Sequence, residues 1–174
     1  MSILKLRYYG DPILRKKASP VVRIDEHIKR LAADMIDTMH GENGIGLAAP
    51  QVGESIAMIT VDISREEGEG EAVVLINPEI YESSGEATME EGCLSLPDIR
   101  EDIVRPEFIK VRCLNLEGKK VDFECGGLLA RVIQHENDHL LGKLLIDYLG
   151  PLKRNLLKSK LRKISKGEIP ARIS

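Results

Sequence analysis

The sequence predicts an α+β fold, and three features of its 174 residues carry that reading. Two segments, 25–40 and 127–141, repeat apolar residues at the three- and four-residue spacing of an amphipathic helix. The stretch 107–126 alternates apolar and polar residues with the period of a strand, and short apolar runs bounded by turn residues fill much of the chain between. The length suits one domain with a tail. A chain of this size buries roughly 70% of its unfolded surface, enough for a core without staples.

Taken in order, the first 24 residues are extended and turn-rich, punctuated by Gly10-Asp11-Pro12 and Ser19-Pro20. In the first helix Ile28, Leu31, Ala32, Met35, Ile36 and Met39 form the apolar stripe. Asp25 is its expected N-cap, Glu26 suits the first turn and Gly41 ends it. Residues 43–53, NGIGLAAPQVG, hold three glycines and a proline and read as an irregular loop. A strand is expected at 55–62, an acidic solvated turn at 64–71, a second strand at 72–78 ending at Pro78, and a third over 79–88.

The hairpin at 107–126 places Ile109, Val111 and Cys113 in one apolar phase and Val121, Phe123 and Cys125 in another, across a turn at Glu117-Gly118-Lys119. Cys113 and Cys125 read as inert core thiols. The helix at 127–141 stops at Gly142. A third helix spans 151–165 behind Pro151. Its apolar stripe is Leu152, Leu156, Leu157, Leu161 and Ile164; Lys153, Arg154, Lys158, Lys160, Arg162 and Lys163 take the other face. Residues 1–150 therefore read as the domain that carries the chemistry, and 151–174 as a basic helix and tail packed on it or extending from it.

Composition excludes several classes of function. Hydrophobic residues are 43% and charged residues 30%, ordinary for a globular protein and unlike a disordered one. Aromatics are 3% with no Trp, and the net charge is −3, so neither a base-stacking surface nor sequence-specific nucleic-acid binding is expected. No run of 18 apolar residues exists to span a membrane. The opening MSILKLRYYGDP carries no secretory pattern, and three irregularly spaced cysteines make no disulfide framework. A reducing, cytoplasmic compartment is expected.

His135-Glu136-Asn137-Asp138-His139 matches H-E-x-x-H inside the second helix. Histidines four apart share one helix face, and both imidazoles can reach a single metal ion. Leu128 and Val132 lie on that face, so it points toward the core. Glu136 is placed to hold a water on the metal and take its proton. The alternative is two histidines satisfied by core hydrogen bonds. A hydrolytic site also needs a third protein ligand and an open position. No third histidine follows, because residues 140–145 are LLGKLL. Asp147 and Glu168 are the downstream acidic candidates; Cys93, in EEGCLSLPDIR outside any alternating strand, is the other. A buried spacer is the competing role for Cys93.

Three blocks resemble the signatures of the peptide deformylase family: Gly44-Ile45-Gly46-Leu47-Ala48-Ala49-Pro50-Gln51, Glu91-Gly92-Cys93-Leu94-Ser95-Leu96-Pro97, and Gln134-His135-Glu136-Asn137-Asp138-His139-Leu140. They stand in the family's order and at its spacing, and the similarity runs from Gly10-Asp11-Pro12-Ile13-Leu14-Arg15 to about Asp147. The resemblance implies a hydrolase that removes the formyl group from the N-terminal formyl-methionine of newly synthesised proteins, releasing formate. It implies small antiparallel sheets packed around a central helix bearing H-E-x-x-H, with a C-terminal amphipathic helix. It implies Cys93, His135 and His139 as ligands of one divalent metal ion and Glu136 as catalytic acid and base. Gln51 and the Leu94 N–H become partners of the formyl oxygen, Gly44 and Gly46 lie along the substrate, and Arg100 lies near it. Mixed thiolate and imidazole ligands alone suggest Zn(II). The resemblance implies Fe(II) as the native ion in bacteria, with Zn(II) or Ni(II) as replacements that bind more tightly.

These groups suit amide hydrolysis. Positioned proton transfer by Glu136 is worth about 10²–10⁴-fold, and losing one oxyanion donor such as Gln51 costs about 10²–10³. Without the resemblance, Gln51 reads as a loop-stabilising amide. Ile45, Leu128 and Val132 are candidates for a methionine pocket; core packing is their other reading. From Pro151 onward the chain has eight Lys/Arg against one acid, Glu168, which suggests an anionic partner. The ribosome surface is the expected partner, and a solvated helix face the alternative. Two other functions fit the metal motif: a zinc peptidase with an acidic third ligand, and a metal-stabilised binding module.

Overall fold

The computed structural model describes residues 2–64 and 71–169. Most of the expected acidic turn at 64–71 lies outside the described residues, as does the end of the tail. Helix α1 (Glu26–Gly41) starts where Asp25 accepts hydrogen bonds from the His27 and Ile28 N–H groups at 3.1 Å each. Its stripe of Ile28, Leu31, Ala32, Met35 and Met39 is buried.

Five strands form one antiparallel sheet in the order β1 (Gly46–Ala48), β2 (Met58–Val61), β3 (Val73–Ser84), β6 (Phe108–Leu114), β7 (Lys120–Gly126). β4 (Ala87–Cys93) and β5 (Leu96–Arg105) make a separate antiparallel hairpin. Helix α2 (Gly127–Leu140) packs across the larger sheet. Its Ala130, Val132, Ile133 and Leu140 join Ala48, Ile59, Val61, Leu75, Ile109 and Val111 in one apolar cluster. Helix α3 (Pro151–Ser165) closes the chain, seating Leu161 and Ile164 with Leu14, Leu96, Ile99 and Ile103 in another.

Four expectations are corrected. The loop at 43–53 contains β1, a short edge strand, followed by a 3₁₀ turn at Ala49–Val52. Pro78 does not end a strand: β3 runs through it, because the ladder bulges between Ile76 and Glu79 and a missing N–H costs nothing there. Asn77 takes a left-handed conformation at that bulge, and its amide bonds both the N–H and the C=O of Val21 at 2.8 and 2.9 Å. The chain turns at Gly85, inside the strand expected over 79–88, and β5 was not expected at all. The stripe on α3 is split: Leu157, Leu161 and Ile164 pack inward, while Leu152 and Leu156 are each 75% exposed.

Candidate active site

The site forms where the β4–β5 hairpin, the segment around β1 and helix α2 meet. The hairpin turns at Leu94 and Ser95, pairing Cys93 with Leu96 after a register shift at Gly92. That shift sets Cys93 against α2, with Sγ 3.3 Å from His139 Nε2. One helical turn earlier, the His135 ring stands edge-on to His139 with centroids 5.2 Å apart. Single ligand atoms of Cys93, His135 and His139 lie within 4.8 Å of one another. On a tetrahedron with bonds of about 2.0–2.3 Å, ligand atoms stand about 3.3–3.8 Å apart, so small adjustments would let these three share one ion.

The acidic candidates are placed elsewhere. Asp147 is held by Arg15 at 2.5 and 3.1 Å and accepts the Leu144 N–H at 2.9 Å. Glu168 is exposed beyond the end of α3.

One buried atom fits a metal in this position. Glu136 is 4% exposed, yet its Oε2 has no protein partner. Burial pushes its carboxyl up to about 7, so it can both accept and release a proton near neutrality. The two imidazoles diverge: burial and the neighbouring His135 hold His139 below the usual histidine range, whereas the burial of His135 is outweighed by its hydrogen bonds to Cys93 and Glu91, which raise it.

Around this group lies a buried polar network. His135 Nδ1 is 2.9 Å from Glu91 Oε2, leaving Nε2 for a metal. Arg105 clasps Glu91 through Nε at 2.6 Å and Nη2 at 3.0 Å, and Arg131 adds a bond to Glu91 at 2.9 Å. Burial alone would raise the Glu91 carboxyl; the bonds from His135 and Arg105 outweigh it and hold the group down at about 2. Composition and periodicity did not single out Glu91, Arg105, Arg131 or Asp138, although Glu91 and Asp138 lie inside the quoted blocks.

Gln51, 1% exposed, sits in the turn after β1. Its Oε1 accepts the Ala48 N–H at 2.8 Å, which orients the amide. Nε2 therefore faces Ser95 Oγ at 3.2 Å and Cys93 Sγ at 3.7 Å. The N-terminal segment ties both loops together: Arg7 N–H donates to Gln51 C=O and Tyr9 N–H to Ser95 C=O.

Gly46 borders the same space. A Cβ there would lie 2.5 Å from Glu136 Oε1 and 2.6 Å from Val132 Cγ1. Gly44 stands against Leu94, whose Cδ1 would be 2.9 Å from an added Cβ. Val132 is buried, and Ile45 and Leu128 are half-buried against the same apolar cluster. Arg100 is exposed, its Nε donating to Glu90 at 2.7 Å. The structure thus gathers Gly46, Gln51, Cys93, Val132, His135, Glu136 and His139, with Gly44 and Leu94 adjoining.

Residues 3–155 match the family model described as polypeptide deformylase. The chain is 49% identical over 164 residues to a peptide deformylase of Alkalilimnicola ehrlichii, covering 94% of this chain and 92% of that one. Its fold superposes on the crystal structure of a peptide deformylase from Legionella pneumophila with a TM-score of 0.88 at 44% identity, covering 96% and 98% of the two chains. The peptide deformylase of Thermotoga maritima gives a TM-score of 0.81 at 45% identity, covering 87% of this chain and all of the other.

Proposed function

The chain belongs to the polypeptide deformylase family, metal-dependent hydrolases that remove the formyl group from nascent peptides, and we propose that Cys93, His135 and His139 hold its metal while Glu136 moves the protons. The convergence of one cysteine sulfur and two imidazoles beside an unpartnered buried carboxyl carries this reading. A divalent ion there supplies a water acidified toward neutral pH and a Lewis-acid contact for the formyl carbonyl. Fe(II) is the proposed native ion, with Zn(II) or Ni(II) as tighter-binding replacements.

The protein's own groups do the rest. Glu136 takes a proton from the attacking water through its unpartnered oxygen and delivers it to the departing amine, which leaves as the N-terminus of the peptide. Gln51 Nε2 and the Leu94 N–H donate to the formyl oxygen as it gains charge. Gly46, having no side chain, lets β1 pack directly against Glu136 and Val132, so that its backbone is the proposed edge for the substrate, and Gly44 extends that edge. A rigid wall of backbone rejects an acetyl methyl by clash more firmly than cavity fit alone, which is worth about 1–3 kcal/mol. Val132, Ile45 and Leu128 offer apolar surface for the methionine side chain, and Arg100 pairs with Gly92 next to Cys93 on the hairpin.

Cys93→Ala tests the ligand set. Metal content should fall below stoichiometric while the fold is retained; full retention would point to a different third ligand. The basic helix α3, with Leu152 and Leu156 exposed among its lysines, is the proposed contact with the ribosome. The cysteines are free, in keeping with a reducing cytoplasm as the proposed compartment. Among the described residues, no helix is long and apolar enough to cross a membrane.

A further inference from the structure

We propose that Tyr148 is a positioning residue for the His135 imidazole, acting through the hydrogen-bonded chain Asp138–Arg105–Glu91. The inference rests on the reading of His135 as a metal ligand. Tyr148 ends the 3₁₀ turn Leu145–Tyr148 that precedes α3, and its ring is partly open to solvent. Its hydroxyl donates to Asp138 Oδ2 at 2.7 Å. Arg105 Nη1 donates to the same oxygen at 2.7 Å and to the Tyr148 hydroxyl oxygen at 3.1 Å. The other edge of that guanidinium holds both oxygens of Glu91, and Glu91 Oε2 meets His135 Nδ1. The tyrosine ring also lies under the guanidinium, 4.6 Å from its centroid to Cζ.

The physical link is the rigidity of the guanidinium. Its donors form a planar fork, so any rotation moves both contacts to Glu91 together. Asp138 and Tyr148 fix the far edge of that plane, and the plane sets the carboxylate that aims the imidazole. Outer partners of a metal-ligating histidine govern its orientation and basicity. Tyr148 lies four hydrogen bonds from the ring by way of Asp138 and three by way of its own contact with Arg105, yet each link is a charged or charge-assisted hydrogen bond, most of them shielded from water.

Tyr148→Phe keeps the ring stacked on Arg105 and removes only the hydroxyl. Zinc affinity of the full chain, measured by competition with a chromophoric chelator, should fall roughly 3–10-fold, less than the roughly 10–100-fold expected for Glu91→Gln. The visible spectrum of the Co(II)-substituted variant should shift with the altered ligand geometry. Asp147→Asn loosens the same turn without touching the chain and should leave affinity and spectrum unchanged. Wild-type affinity and spectrum in Tyr148→Phe would overturn the proposal, as would equal losses in both variants. Failure of the wild-type chain to bind zinc would instead overturn the ligand set on which the proposal rests.

Discussion

Glu91 Oε2 lies 2.9 Å from His135 Nδ1, and both residues are buried. This contact leaves Nε2 as the ring nitrogen free to bind a metal. Glu91 in turn is held by Arg105 and Arg131. Replacing it with Gln keeps the shape and removes the charge that binds the imidazole N–H. Metal affinity should fall by roughly 10–100-fold. A chelator-competition titration checks this, and unchanged affinity would show that Glu91 only balances the two arginines.

Gly46→Ala puts a methyl where Glu136 Oε1 and Val132 Cγ1 already stand. Overpacking of this kind costs about 1–3 kcal/mol of stability. Glu136 must also shift, so kcat/KM for a formyl-peptide should drop by at least about 10²-fold, a loss of the size expected for a misplaced catalytic group. Metal content should stay at the wild-type level. Wild-type turnover in this variant would show that Glu136 keeps its working position without the glycine.

Stability should depend on pH through Asp147. Burial opposes its ionisation, but Arg15 and the Leu144 N–H hold its carboxyl below the usual range. A carboxyl lowered on folding stabilises the protein above its unfolded pKa of about 3.9, and that stabilisation fades as pH falls through the lower native value. Asp147→Asn should therefore cost about 1 kcal/mol at neutral pH, limited by the partial exposure of the Arg15–Asp147 pair. Urea denaturation should show the gap closing below about pH 4. A gap that widens in acid would contradict the assignment.

Deleting residues 151–174 would strip Leu161 and Ile164 from a core cluster, so surface substitutions test α3 more cleanly. Leu152→Asp with Leu156→Asp changes two side chains that are 75% exposed and lowers the positive charge of the helix. Co-sedimentation with ribosomes should weaken several-fold at low salt, where screening is least. Turnover of a short formyl-peptide is the control. Unchanged sedimentation would leave the basic face as solvated surface.

The elements legible in the sequence are those whose periodicity is uninterrupted. Helix α2 and the β6–β7 hairpin lie almost where Leu128–Leu140 and Ile109–Cys125 place them. β5 was hidden because its inward face carries Arg105 alongside Ile99 and Ile103, and a buried charge breaks the apolar phase that marks a strand. β1 was hidden by its brevity and its glycines. The paired histidines were legible from spacing alone, whereas spacing left Cys93 level with Asp147; the resemblance singled Cys93 out, and the hairpin turn sets it against α2. Nothing in hydropathy announces Glu91, Arg105 and Asp138, whose pairing across β4, β5 and α2 exists only in three dimensions. Leu152 and Leu156 failed the opposite way: they fit the stripe on α3, but the body of the protein turns away from them.

By this reading the site hydrolyses a formyl amide with a metal held by Cys93, His135 and His139. The decisive measurement is formate release from formyl-Met-Ala-Ser by protein purified without oxygen, with metal content determined on the same sample. Formate should appear in proportion to bound iron, nickel or zinc, at a single ion per chain. Folded, metal-loaded protein that releases no formate would overturn the assignment of these residues to deformylation.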